Sequence, residues 1–566
     1  MVPGADRHPI HELSKRHVEA MAELDPDNAT RVGRLGHEHR VTDHSPGGLA
    51  ARTEQLRSVL ADVEGLPPAQ GADRTAVDFH RERITAELDL IETGETVRAL
   101  RVLGSPVQAM RQVFDLLATT SVEDWEIIAT RLHNIPAGVT GLVELLEHGM
   151  AHDLMSSRRQ AEGCAAQART WSGQEGEPSF FASLLAGADV AGVDVDPALE
   201  RRLRSGAEAA SAAYAGLARF LLDTYLPRAP SADGVGRERY LLHARRHLGS
   251  VLDVDEAYAW GWDEVRRLDT EMLAVAARIR PGLGVGDVID LLDGDPAGAI
   301  EGAQDLRAWL QELMDATIDE LSDTHFDIPG PLRTVQAMIA PPGGTAAMYY
   351  TGPSEDFSRP GRTWYPTQGR TRFPLWGEVS ICYHEGVPGH HLQVATVTHL
   401  GPRLSALQRS TFVPGHGEGW ALYAERLMDE LGYLDDPGHR LGYLRAQLMR
   451  ARRVVADIGM HLELRLPADI VSGEPRWHPE LAHRFMTTDA GFPPQFMASE
   501  VDRYLGLPAQ AISYKLGERV WLDGREAVRR RLGNRFALRA FHRSALALGH
   551  LGLDQLREEL TTMQAR

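Results

Sequence analysis

Apolar residues recur three and four positions apart through most of this chain, and a sequence with that spacing must bury helical faces against one another. From about residue 8 to 330, Ala, Leu, Arg and Glu dominate. The stretch from Pro197 to Tyr225 shows the pattern most clearly: Leu199, Leu203, Ala207, Ala210, Tyr214, Leu217, Phe220 and Leu221 fall on one side of a helix. Gly/Pro-rich breaks at 65–73, 172–179, 227–236, 280–287 and 294–298 punctuate the helices and read as loops, not interdomain linkers. No low-complexity tract or fixed-period repeat is visible, so a solenoid is not expected. At 566 residues the length allows several small domains or one large one. Without linkers, the expectation is a single large helical domain over 1–566, with lobe-forming helices in 1–330.

The texture changes near Asp327. Residues 331–370 are rich in Pro and Gly, and short β-prone runs at 335–340, 346–351 and 362–367 sit between turns. They predict one small antiparallel sheet. Helical periodicity resumes near Phe373, with helices expected at roughly 375–398, 417–432, 436–464, 494–505, 508–532 and 535–563. The fold class is therefore mainly α, and the sheet, standing just before the most unusual segment of the chain, is expected to border the functional cleft.

Composition narrows the partners. The formal net charge is −19, which argues against sequence-independent binding to nucleic acid or to anionic membrane, since both require positive charge to replace counterions. Two cysteines, Cys164 and Cys382, are too few and too far apart for a disulfide framework or a thiolate metal site. They read as reduced thiols. The first twenty residues carry charges and histidines where a signal peptide would need an apolar run, and no uncharged apolar stretch reaches ~18 residues. A cytoplasmic location is expected. The spacing of residues says nothing of the oligomeric state.

The chemistry is concentrated in YHEGVPGHHLQ, residues 383–393. His-Glu pairs alone mean little, because His11-Glu12 and His37-Glu38 occur as well. A zinc hydrolase needs two neutral imidazoles, a third ligand and an open position for water with a carboxylate beside it, usually met by histidines at i and i+4 with Glu at i+1. Here Pro388 stands four residues after His384. Its ring would clash with the carbonyl of residue 384, so with Gly389 it must kink or bulge the helix. On a regular helix His390 would point ~240° away from His384, and His391 would return to the same face ~10.5 Å further along. A bulge of two residues would restore the i, i+4 relation to His390; His391 is the alternative second ligand.

The HExxPGHH run, followed by a helix reading PGHGEGWALYAE (414–425), resembles the signature of the bacterial domain-of-unknown-function family 885, itself similar to helical zinc peptidases of the angiotensin-converting-enzyme, oligopeptidase and Taq-carboxypeptidase type. Those relatives end their zinc motif in Gly-His and carry Pro-Gly-x-x-Glu about two dozen residues later. Gly389-His390 and Pro414-Gly415-His416-Gly417-Glu418 match that pattern. The resemblance implies zinc held by His384, His390 and Glu418, with Glu385 as general base, in a two-lobed zincin-like architecture whose cleft favours peptides over folded proteins. Further likeness lies in DIGMH (457–461) and YLGLPAQAISYKLG (504–517), where Ala509 replaces the glycine of the family's Pro-Gly-Gln-Ala. By resemblance, Tyr514 is the expected oxyanion donor, with Tyr504 and His461 as substitutes.

Other residues carry two readings each. Glu425 lies two turns after Glu418 on the same face and is either a partner for a ligand imidazole or a solvent-facing charge. Asp457 and His461, at i and i+4, form either a structural pair or a device that aims His461 at a substrate carbonyl or carboxylate. Cys382 reads as a small core residue. The function expected is a zinc metallopeptidase acting on short or unfolded peptides; the alternatives are a metal-dependent amide hydrolase with a non-peptide substrate, or a helical binding protein that has lost the metal.

Overall fold

The structure is a computed structural model that describes residues 7–191 (backbone only for 187–191), 196–340, 348–467, 476–488 and 492–563. The chain is mainly α-helical and carries two small sheets. Among the described residues no helix is long and apolar enough to cross a membrane.

Two compact units are present. The first comprises 1–68, 84–235 and 502–507. Its core packs the long Val122–Ala151 helix against the Pro197–Phe220 helix, around Trp125, Ile128, Leu132, Leu142, Phe181 and Tyr214. Both helices start where their sequences offer a cap. The Ser121 side chain accepts from the amide of Asp124, and Asp196 accepts from the amides of Ala198 and Leu199, meeting donors that no helical carbonyl can reach. All eight apolar positions singled out between Leu199 and Leu221 lie in this core or directly against it.

The second unit comprises 69–83, 236–501 and 508–566. The Val254–Ile279 helix packs on the Pro437–Leu462 helix, and the Pro414–Glu430 helix packs on the Ser513–Leu532 helix. The second contact is backbone on backbone. A Cβ on Gly517 would collide with the Gly415 carbonyl, and one on Gly419 with Gly517 itself, so only glycine permits this approach. At the turn before the Ser513–Leu532 helix, Ala509 adopts φ +62° and donates its amide to Asp457 Oδ2 at 2.9 Å. That left-handed geometry explains why the family pattern holds glycine there.

The expected β-prone runs form strands. Gly361–Tyr365 is central in a three-stranded sheet, antiparallel to Tyr349–Thr351 and parallel to Val335–Ile339. The parallel pair is not legible in run lengths, because they do not say which strands become neighbours; of the 346–351 run, residues 346 and 347 lie outside the described residues. A second, two-stranded antiparallel sheet joins Ala299–Glu301 to Arg372–Pro374. The helix expected at 375–398 is two helices, Glu378–Glu385 and His390–Leu400, and that break builds the candidate site. The helix expected at 535–563 is likewise two, Leu538–Leu546 and Leu553–Thr562, separated where Gly549 takes a positive φ.

Candidate metal centre

Glu378–Glu385 ends in a tight Gly386–Gly389 turn containing the cis Val387–Pro388 peptide. The Gly389 amide donates to the Tyr383 carbonyl at 3.0 Å, a link to the sixth residue back where a helix would reach the fourth. Two residues are thus looped out, as the Pro-Gly pair requires. A Cβ on Gly389 would strike the carbonyl oxygens of Tyr383 and His384, so the loop closes only over glycine. Trp420 Nε1 donates to the carbonyls of Pro388 at 2.9 Å and Gly389 at 3.2 Å. This tie joins the loop to the helix that carries Glu418, two residues before Trp420.

The bulge brings the His384 and His390 rings to 4.8 Å between centroids, nearly perpendicular. Glu418 Oε2 stands 3.5 Å from His384 Nε2 and 3.4 Å from His390 Nε2. His391 faces elsewhere. Its Nε2 lies 2.9 Å from the Leu332 carbonyl and its Nδ1 2.9 Å from Tyr350 Oη. One neutral tautomer satisfies both, with Nε2–H donating to the carbonyl and Nδ1 accepting from the hydroxyl. Burial holds His391 at a pKa of about 4, consistent with that neutral form. Tyr350 belongs to the edge strand Tyr349–Thr351, so the same hydrogen bond seats the sheet on the motif helix.

Behind the triad, His384 Nδ1 meets Glu425 Oε1 at 2.7 Å. Glu425 is fully buried and also accepts from Ser380 Oγ at 2.6 Å, with Arg450 Nη2 at 3.3 Å. Of its two readings, the solvent-facing charge is ruled out and the bond to the His384 imidazole is made; this bond fixes the ring and leaves Nε2 facing Glu418. Glu385 is buried, and its Oε2 has no hydrogen-bond partner among the described residues. The Tyr514 ring lies 6.4 Å from the His384 ring at an interplanar angle of 17°.

The remaining candidates stand apart from this cluster. Asp457 and His461 are fully buried at 3.7 Å; Asp457 accepts from Tyr240 Oη at 2.7 Å, and the His461 ring lies against Tyr240 at 5.6 Å. His461 is eleven residues beyond Arg450 on one helix, about 16 Å along its axis. Tyr504 is fully buried in the first unit, under the Arg503 guanidinium. Cys164 and Cys382 are buried and free, and burial pushes both thiols up to about 12. Arg450, Trp420 and Tyr350 were not singled out from the sequence; each acts through a contact across at least thirty residues, and only the rarity of tryptophan marked one of them.

Zinc is the metal the motif implies, and the residues fit it. Ligand atoms ~2.0–2.2 Å from one tetrahedral ion stand about 3.3–3.6 Å apart, which the two Nε2–Oε2 distances match. Glu418 Oε2 is buried without a hydrogen-bond partner among the described residues, a state that a cation at the centre of the triangle would relieve. Electrostatics agree. Burial opposes charging His384, but the Glu418 and Glu425 carboxylates beside it outweigh that cost and carry the imidazole up to about 9. Burial likewise works to raise Glu418, and His384 and His390 overcome it, holding the carboxyl well below the usual range. The pocket thus attracts positive charge, and in the metal-free protein a proton supplies it. A metal needs the Nε2 lone pair, so below pH 9 binding must expel that proton. Zinc affinity, measured by chelator competition between pH 6 and 8, should rise about tenfold per pH unit, and a flat profile would contradict the assignment.

Comparison with known proteins places the chain. The profile of a family described as "Bacterial protein of unknown function (DUF885)" matches residues 26–560. The chain belongs to this family. Two solved structures resemble this DUF885 chain in fold. A candidate lipoprotein from Colwellia psychrerythraea is 22% identical, with a TM-score of 0.83 over 98% of each chain. A candidate lipoprotein of unknown function from Shewanella oneidensis is 17% identical, with a TM-score of 0.72 over 97% of this chain and 99% of that one. No curated protein matches the sequence.

Proposed function

We propose that this chain is a zinc-dependent hydrolase, best read as a metallopeptidase cleaving short or unfolded peptides. The observation that carries the reading is the triangle of buried His384 and His390 with half-buried Glu418, with one imidazole anchored by Glu425 and an unpartnered Glu385 carboxylate oxygen next in sequence. Its likeness to the helical zinc peptidases of the angiotensin-converting-enzyme, oligopeptidase and Taq-carboxypeptidase type supports the peptide preference. Zinc in such a site polarises a carbonyl and makes water a nucleophile near neutral pH.

The chain's own residues would do the rest. Glu385 takes the proton of the attacking water and returns it to the leaving nitrogen. Tyr514, beside His384, donates to the oxygen that becomes negative. The edge strand Tyr349–Thr351 pairs on one side with Gly361–Tyr365, and its other edge supports an extended substrate by strand addition. For Tyr514→Phe, kcat should fall about 10²-fold with KM nearly unchanged, the signature of a contact made only in the transition state; an unchanged kcat would remove Tyr514 from that role.

Metal content after purification without added zinc, followed by hydrolysis of a peptide library read by mass spectrometry, tests the reading. Zinc near one per chain with defined cleavage products is expected. A zinc-loaded protein that cleaves no peptide would point to a non-peptide amide substrate, and a metal-free, inert one to a binding protein. The free buried thiols favour a cytoplasmic location; fractionation of cells with the envelope would instead align the chain with the lipoprotein description of its structural relatives.

A further inference from the structure

We propose that Phe412 reads an apolar side chain of the substrate, on a residue that flanks the carbonyl held at the metal. The inference deepens the hydrolase reading above and rests on it. Thr411 and Val413 have extended backbones just ahead of the Pro414–Glu430 helix, and along an extended chain successive side chains leave on opposite sides. Val413 is fully buried, which turns Phe412 outward. Among the described residues it is the one Phe, Tyr or Trp that is exposed, at 43%.

The ring is nonetheless seated. A Cβ on Gly417 would strike its Cε2–Cζ edge, so it rests on bare backbone one residue before Glu418, and a methyl group there would push it away. It meets the His390 ring at 6.1 Å and 65°, and the buried His550 ring at 5.8 Å and 67°. Solvent reaches the triangle on this side: the His384 side chain is 4% exposed, that of His390 10% and that of Glu418 14%. Phe412 thus stands at the open edge of the ligands, whereas half-buried Tyr514 lies over the more enclosed His384 ring. Sites for small ligands are mostly apolar, with a few polar groups that fix orientation. The triangle supplies the polar groups and Phe412 an apolar surface beside them. A side chain next to a carbonyl held by these ligands comes within reach of that surface, and an aromatic ring accepts an aromatic or long aliphatic partner in an offset or edge-to-face arrangement.

Hydroxamates test this, because they anchor at zinc and bind without turnover. The probes, titrated by calorimetry into the zinc-loaded chain, form two pairs. The hydroxamates of N-acetylphenylalanine and N-acetylalanine present a side chain on the acyl side of the metal; those of malonyl-phenylalaninamide and malonyl-alaninamide present one on the amine side. In at least one pair the phenylalanine probe should bind at least tenfold more tightly than its alanine counterpart, and that pair names the side that Phe412 reads. Phe412→Ala should bring the two within threefold while the alanine probe stays within twofold of its native affinity and zinc content stays full, a combination that damage to the metal site would not give. Equal binding within both pairs, or a preference that survives Phe412→Ala, overturns the proposal. Should that variant lose zinc, Phe412→Leu, which stays apolar and loses the ring, must still cut the preference several-fold with zinc retained. Selective binding of a phenylalanine probe by a zinc-loaded chain that cleaves no peptide would remove the hydrolase reading and keep the apolar site; peptide cleavage without such selectivity would do the reverse.

Discussion

Glu385→Gln should give a folded protein with a full complement of zinc and with kcat lowered 10²–10⁴-fold, the usual loss when a general base is removed. Glutamine keeps the shape of the side chain and removes its basicity. The site can tolerate that exchange because Glu385 Oε2 makes no hydrogen bond among the described residues, so no structural partner is lost there. Neither His384, His390 nor Glu418 is altered, and the Glu425 bond that orients His384 is untouched. Zinc per chain by mass spectrometry, together with kcat on the best library peptide, checks both halves of the expectation. Full activity in a zinc-loaded variant would remove Glu385 from water activation.

Glu418→Gln should lower zinc affinity by more than a hundredfold, and Glu425→Gln by about 10–100-fold, the range typical of groups that orient a ligand. The order follows from position. Glu418 supplies the oxygen that stands 3.4–3.5 Å from both imidazole nitrogens, and its loss removes the only negative charge in the triangle. Glu425 touches the ring from behind, at Nδ1; a glutamine oxygen there can still accept the bond, but without charge. Losing Glu418 also removes the largest support for the raised His384 imidazole, so the pH dependence of binding should flatten in that variant. Competition titrations at two pH values would show both effects. Equal affinities for the native chain and Glu418→Gln would place the metal elsewhere.

Helical structure was legible because its cause is local. The spacing from Leu199 to Leu221 fixes which face is apolar, and Ser121 and Asp196 mark where helices begin. The motif was legible for the same reason: Pro388 four residues after His384 cannot continue a helix, and a two-residue bulge was the geometric consequence. Nothing local in the sequence says which backbone Gly415, Gly419 and Gly517 meet; packing decides that. Glu418 rested on a resemblance alone, since any carboxylate is favoured in the first turn of a helix.

By itself, then, the sequence determined a mainly helical chain, an interrupted metal motif and the short strands before it, all properties of residues within a few turns of one another. Tertiary structure alone placed His390, and not His391, beside His384 and Glu418, because Leu332 and Tyr350 claim both nitrogens of His391. It also set Trp420 against the bulge, Glu425 behind His384 and Arg450 beside both. Each of these contacts joins residues twenty-five or more positions apart. Periodicity specifies the face a side chain presents, whereas the partner it meets there is chosen by packing of the whole unit.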